Sequence, residues 1–136
     1  MDLSGRYKSI SVMEVSITTF ANEGYSVKYD FDRRVLCWRD YYMWNNNFTR
    51  CINDEVYQTI EDTLPELRLI EWMEAFNSGK SGLGGEKFVF PGEWEIKVIF
   101  NDKSVLMSSA QQHFPGIWGG LKSLIEKSAG NSFSLR

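Results

Sequence analysis

Few residues of this 136-residue chain could carry out covalent chemistry. His113 is the only histidine, so a metal site built from several imidazoles is excluded, and a hydrolase with a histidine base would depend on this residue alone. No nucleophile motif accompanies His113, and its position just before Phe114-Pro115 favours a cap or surface role over catalysis. The sequence therefore predicts a protein without a catalytic residue, a metal site or a cofactor.

Gly79-Lys80-Ser81 resembles the end of a phosphate-binding loop, whose backbone amides hold phosphates between a strand and the following helix. The upstream glycine that such a loop requires would stand at position 74, which is Glu74. The predicted order of elements is also reversed, because this loop follows a helix and precedes a strand. A flexible linker is the favoured interpretation.

Cys37 and Cys51 are the only cysteines, and residues 1–6 lack the apolar stretch of a secretory signal. These features predict a reduced, cytoplasmic setting with free thiols, although a disulfide remains geometrically possible. Cys37 lies among strand-forming and aromatic residues, so we expect it to be buried and inert. No segment approaches the roughly 18 apolar residues that span a bilayer, and we expect no membrane insertion.

Acidic residues are concentrated in one stretch of the chain. Residues 53–76 contain seven acidic residues against one basic residue, a net charge of −6, whereas the rest of the chain carries +3. An acidic helical face attracts a cationic partner over long distances and suits a protein that masks a basic surface. A solvated face that only maintains solubility is the alternative. The acidic residues that we predict to bind a partner are Asp54, Glu55, Glu61, Asp62 and Glu66.

Aromatic residues make up 15% of the chain and cluster between residues 38 and 48. Aromatic and arginine side chains concentrate interface energy, and we predict that Tyr41, Tyr42 and Trp44 extend the partner-binding surface. Strand alternation should bury about half of the rings of this cluster, so core and strand-edge positions are the alternative. Stacking of single-stranded nucleic acid on these three rings beside Arg39 and Arg50 is another alternative. The net charge of −3 argues against generic nucleic-acid binding, which requires phosphate neutralisation.

Alternating apolar residues predict most of a sheet. Three strands over residues 10–20, 25–31 and 35–42 form a meander, and a hairpin follows at residues 94–107. The apolar residues of the first strand change from even to odd positions, which predicts a bulge near residue 12 or a division into two short strands. The predicted fold is a single α+β domain over residues 1–136. Its antiparallel sheet has about five strands, from the N-terminal meander and the C-terminal hairpin, and packs against a helical pair and a C-terminal helix.

The helices have recognisable ends. Asn53 is the predicted N-cap of the first helix, and Pro65 the first position of a second helix that ends near Gly79. The second helix carries an apolar stripe of Leu69, Trp72, Met73 and Phe76. The last helix is predicted to begin at Pro115. The glycine pair Gly119-Gly120 is unfavourable inside a helix, so either the helix begins later or another backbone comes close, and we favour close packing of this helix on the sheet.

Residues 70–127 carry a pattern that resembles a group of small bacterial α+β proteins, some of which are similar to immunity proteins of toxin systems. Its elements are Ile70-x-Trp72, Phe76, a glycine-containing loop, Trp94-x-Ile96-x-Val98-x-Phe100, and Phe114-Pro115-x-x-Trp118-x-x-Leu121-x-x-Leu124. The resemblance implies a bacterial immunity-type protein, as in contact-dependent growth inhibition, that binds and neutralises a basic toxin domain. A small enzyme that uses His113 with a carboxylate is the alternative from a different class.

Overall fold

The fold comes from a computed structural model that describes residues 3–19, 24–40, 47–78, 89–113 and 118–129. Those residues form four helices and six strands. In chain order they are α1 (Leu3–Lys8), β1 (Ile10–Thr19), β2 (Gly24–Asp30), β3 (Val35–Asp40), β4 (Phe48–Cys51), α2 (Asp54–Leu67), α3 (Leu69–Asn77), β5 (Val89–Phe100), β6 (Val105–His113) and α4 (Trp118–Ala129).

The sheet is antiparallel throughout, in the order β4-β3-β2-β1-β5-β6. The meander continues through β4, and the β5-β6 hairpin adds to the free side of β1. This arrangement confirms the predicted α+β class with an antiparallel sheet. The difference is the sixth strand, β4, which the sequence analysis missed because its four residues, Phe-Thr-Arg-Cys, offer almost no alternation to detect.

The core lies between one face of the sheet and the helices. Successive strand side chains point to opposite faces. Accordingly, Val15 and Val27 are fully buried while the residues between the core positions of each strand are more exposed. The predicted bulge is confirmed, because the β1-β5 register shifts between Ile10 and Val12. The bulge lets Ile10 and Met13 both reach the core, although regular alternation would place an even and an odd position on opposite faces of the sheet.

Helix α2 begins as predicted but ends later. The Asn53 side chain accepts a hydrogen bond from the Val56 amide at 2.8 Å, which confirms the N-cap. The prediction that Pro65 begins a new helix is wrong, because α2 continues through it to Leu67. Leu64 is buried beside the proline and Leu67 packs on the core, so tertiary contacts hold the helix past the missing amide. The break comes at Arg68, whose left-handed backbone has φ of 56°.

Helix α3 presents the predicted apolar stripe to the core. Leu69 and Met73 are buried, while the stacked rings of Trp72 and Phe76 pack against buried Trp94 with centroids 5.9 and 5.5 Å away. The stripe therefore covers the β5 end of the sheet.

The glycine pair in α4 has a different cause from the predicted one. A Cβ atom on Gly120 would lie 2.3 Å from Cδ2 of Leu67, whereas one on Gly119 would meet nothing within 4 Å. The close approach is therefore to helix α2 and not to the sheet, which corrects the prediction. The predicted start of this helix at Pro115 lies outside the described residues. None of the helices in the described ranges is long and apolar enough to cross a membrane.

Candidate functional site

The predicted acidic residues lie along the outer side of α2. At about 100° per residue, Glu55, Asp62 and Glu66 fall on one side of the helix with Asp54 and Glu61 at its borders. Buried Ile60 and Leu64 lie on the opposite side. Asp54, Glu55, Asp62 and Glu66 are exposed and Glu61 is half-buried. The structure therefore groups all five on one helix, but it spreads them over about 18 Å of its length.

A groove between α1 and α2 collects part of this charge. Its volume is about 450 Å³. We call it the acidic groove, and it is lined by Tyr7, Lys8, Gln58, Glu61, Asp62, Pro65 and Glu66. Three of the five predicted acidic residues line it, whereas Asp54 and Glu55 lie nearer the N-terminus of α2. Lys8 is its cationic lining residue, so carboxylates outnumber ammonium groups and the groove suits a basic side chain.

Tyr7 holds the α1 wall of the acidic groove in place. Its hydroxyl donates a hydrogen bond to a carboxylate oxygen of Glu71 and accepts one from the Ile70 amide at 3.0 Å. The Tyr7 ring is buried, and burial together with the bond to Glu71 raises the pKa of its hydroxyl far above the ordinary value. Tyr7 therefore stays neutral at physiological pH and serves as a fixed anchor between α1 and α3.

Other acidic residues of the 53–76 stretch are engaged within the fold. Glu74 pairs with Arg6 of α1 at 2.9 Å, and Glu71 accepts the bond from Tyr7. Asp54 lies 3.5 Å from Arg34, whose guanidinium also stacks on the ring of Tyr57. Within the part of the chain that the structure describes, no ion pair engages Glu61, Asp62 or Glu66. The acidity open to a partner therefore centres on the groove.

Tyr7, Lys8, Gln58 and Pro65 are the groove residues that the sequence analysis did not identify. A six-residue helix such as α1 has too little periodicity to be seen in sequence. The signal that was present is the triplet Arg6-Tyr7-Lys8, in which a large ring lies between two cations one residue before β1. Gln58 lies one turn before Asp62 and donates to its carboxylate at 2.9 Å, a helical spacing that could have been read.

The structure describes the aromatic cluster of residues 38–48 only at its two ends. Trp38 is buried and stacks on Phe48 at 5.8 Å, so these two rings belong to the core side of the sheet. Tyr41, Tyr42 and Trp44 lie outside the described residues, and their predicted role stays a prediction.

The two arginines of the nucleic-acid alternative do not converge. Arg39 is exposed on the face of the sheet away from the helices, where it pairs in register with Ser26. Arg50 points to the helix side and donates to the Ala129 carbonyl at the end of α4, at 2.6 Å. They lie on opposite faces of one sheet, so they cannot flank the same stacked base.

The remaining candidates for chemistry are the two cysteines, His113 and the glycine-containing loop at residues 79–81. Cys37 is half-buried on the face of the sheet that points away from the helices, which corrects the expectation of a buried thiol, and both Cys37 and Cys51 are free. His113 ends β6 in register with Val89, and its side chain lies outside the described residues, as do residues 79–81. Among the described residues, no three His, Cys, Asp or Glu side chains cluster as a metal site would require.

No protein-family model matches this sequence, and no curated protein matches it.

Proposed function

We propose that this chain is a cytoplasmic immunity-type protein that binds a basic toxin domain and blocks its active site or substrate surface. The partner-binding residues are the acidic side chains Asp54, Glu55, Glu61, Asp62 and Glu66, with Tyr41, Tyr42 and Trp44 as adjacent aromatic anchors. The observation that carries the proposal is the acidic groove. It places Glu61, Asp62 and Glu66 beside a preformed concavity with no ion pair to the described residues.

The arrangement supports inhibition by binding because binding requires only shape and charge. Carboxylates on a rigid helix keep their geometry without a partner, so little conformational entropy is lost when a cationic side chain enters the groove. Toxins that act on nucleic acids carry basic surfaces to neutralise phosphates. A carboxylate-lined groove competes for those same lysine and arginine residues, and it also raises the rate of encounter.

The experiment uses the product of the gene adjacent to the one that encodes this chain, because an immunity protein is made together with its toxin. We expect that product to arrest bacterial growth when expressed alone and growth to resume when this chain is expressed with it. A neighbouring product that is harmless, or whose toxicity this chain leaves unchanged, would contradict the proposal.

The contribution of the groove is tested with the double variant Asp62→Lys/Glu66→Lys, which reverses two exposed groove charges. Association with the toxin at low ionic strength should slow about tenfold, and its dependence on salt should become shallower. The matched control is Asp32→Lys/Glu93→Lys, which makes the same change in net charge at exposed positions away from the groove. Equal slowing in both variants would mean that net charge, and not the groove, drives association.

A further inference from the structure

The face of the sheet that points away from the helices is a second surface, and we call it the open face. It carries Val105 and Met107, with 55% and 50% of their surfaces exposed. Half-buried Val12, Val35 and Ile99 lie on the same face and share a row with Val105. A sheet face with an exposed apolar row and charged neighbours is typical of a surface that packs against another sheet.

The register places the charges of the open face in straight rows across the strands. One row runs Met107, Lys97, Glu14, Lys28, Cys37 and Thr49, and the next runs Ser109, Glu95, Ser16, Ser26 and Arg39. The apolar row runs Val105, Ile99, Val12, Asp30, Val35 and Cys51. In the second charged row the carboxylate lies on the β5 side and the guanidinium on the β3 side. In the first, the central carboxylate and ammonium occupy β1 and β2.

These rows are self-complementary under one symmetry operation. The six strands have their midline between β2 and β1. A twofold axis along that midline, parallel to the strands, places β1 opposite the partner's β2, β5 opposite its β3 and β6 opposite its β4. Each row of one copy then lies against the same row of the other copy, with the order of the strands reversed.

Three of the pairs created by this axis match in chemistry, whereas Asp30 faces the partner's Val12 in the apolar row. Glu14 faces the partner's Lys28, and Glu95 faces the partner's Arg39. In the apolar row, Ile99 faces the partner's Val35. Every such contact occurs twice in the pair, because a twofold interface uses the same patch on both copies. From this complementarity, we infer that the open face binds the open face of a second copy of this chain.

The area of the open face is large enough for a dimer interface. Six strands about 4.8 Å apart and about 20 Å of strand length present about 500 Å² on each copy. The total of about 1,000 Å² lies at the lower limit for a specific interface. The open face also has a hollow of about 240 Å³ lined by Glu14, Ser26, Lys28, Cys37 and Arg39.

The dimer would have its helices outward and an acidic groove exposed on each outer side, so the inference does not depend on the proposed function. The sheets of such sandwiches cross at about 30°, which displaces the outer strands more than the central ones. The experiment therefore uses the central pair of Glu14 and Lys28.

The test is a charge exchange between two variants. Glu14→Lys alone would bring lysines together across the interface, and Lys28→Glu alone would bring glutamates together. In sedimentation equilibrium, the dissociation constant of each variant's dimer should be at least about tenfold higher than that of the unchanged protein, because like charges in an interface are costly. Mixed in equal amounts, they should form a heterodimer of nearly native affinity, in which lysine faces glutamate at both positions. Native mass spectrometry detects it directly.

The design separates docking from folding, because each variant keeps its own altered charges within the monomer whether or not it is mixed. Lys127→Glu, at an exposed position on α4, is the control for net charge and should leave dimerisation unchanged. A protein that is monomeric up to millimolar concentration would overturn the inference. So would variants that fail to pair when mixed, or a Lys127→Glu effect as large as that of Lys28→Glu.

Discussion

Replacement of Tyr7 by phenylalanine tests the anchor that builds the acidic groove. The substitution keeps the buried ring and removes only the hydroxyl, which donates to Glu71 and accepts from the Ile70 amide. Ile70 is the second residue of α3, so its amide has no partner within its own helix. Since Ile70 is fully buried, water cannot replace the lost hydroxyl at that amide.

The magnitude follows from the two bonds. A buried amide left without a partner costs about 1 to 3 kcal/mol. The bond to Glu71 adds less, about 0.5 to 1 kcal/mol, because this half-buried carboxylate can recover hydration. We therefore expect Tyr7→Phe to lower the free energy of unfolding by about 2 kcal/mol, or roughly thirty-fold in the unfolding equilibrium constant. For a domain of this length the melting temperature should fall by about 7 °C.

Urea denaturation followed by tryptophan fluorescence and circular dichroism measures this change. The matched control is Tyr57→Phe, because the Tyr57 hydroxyl makes no hydrogen bond within the described residues and its removal should cost less than about 0.5 kcal/mol. A double-mutant cycle of Tyr7→Phe with Glu71→Ala should give a coupling energy of about 1 kcal/mol. Equal stability losses for the Tyr7 and Tyr57 variants would refute the anchoring role of Tyr7.

Three further predictions concern the helices and the core. Asn53→Ala should lower the free energy of unfolding by about 1 kcal/mol because it removes the N-cap of α2. Asn53→Asp keeps the cap and should leave this free energy nearly unchanged, and urea denaturation of both variants measures the difference. Burial raises the pKa of Tyr29, so its contribution to stability is fully present below its ordinary pKa of about 10 and is lost as pH rises from there toward the folded value. Tyr29→Phe should therefore make the alkaline loss of stability shallower, and a variant as steep as the unchanged protein would count against this. Gly120→Ala should raise the free energy of unfolding by less than the full gain in helix propensity of about 1 kcal/mol, because the new Cβ must displace the end of the Leu67 side chain, and a double-mutant cycle with Leu67→Ala should show coupling.

The local features of this fold were predictable from sequence because they depend on near neighbours in the chain. The cap at Asn53 needs only the next three residues, and the stripe of α3 needs two helical turns. The change of apolar residues from even to odd positions around residue 12 indicates the bulge. Each is an interaction whose partners lie within a few residues, so composition and spacing contain the information. The acidity of α2 is likewise a property of composition, and its placement opposite the apolar side follows from the helical period.

Other features depended on contacts between residues far apart in sequence. Helix α1 is too short to be stable alone and exists because Tyr7 reaches residues more than 60 positions away in α3. The continuation of α2 through Pro65 and the close approach at Gly120 are likewise set by packing, which overrides local preference. By itself, the sequence determined five of the six described strands, the N-cap at Asn53 and the acidic helix. Only the tertiary structure decided that Glu61, Asp62 and Glu66 border a groove, because its second wall comes from a distant segment that no local pattern connects to them.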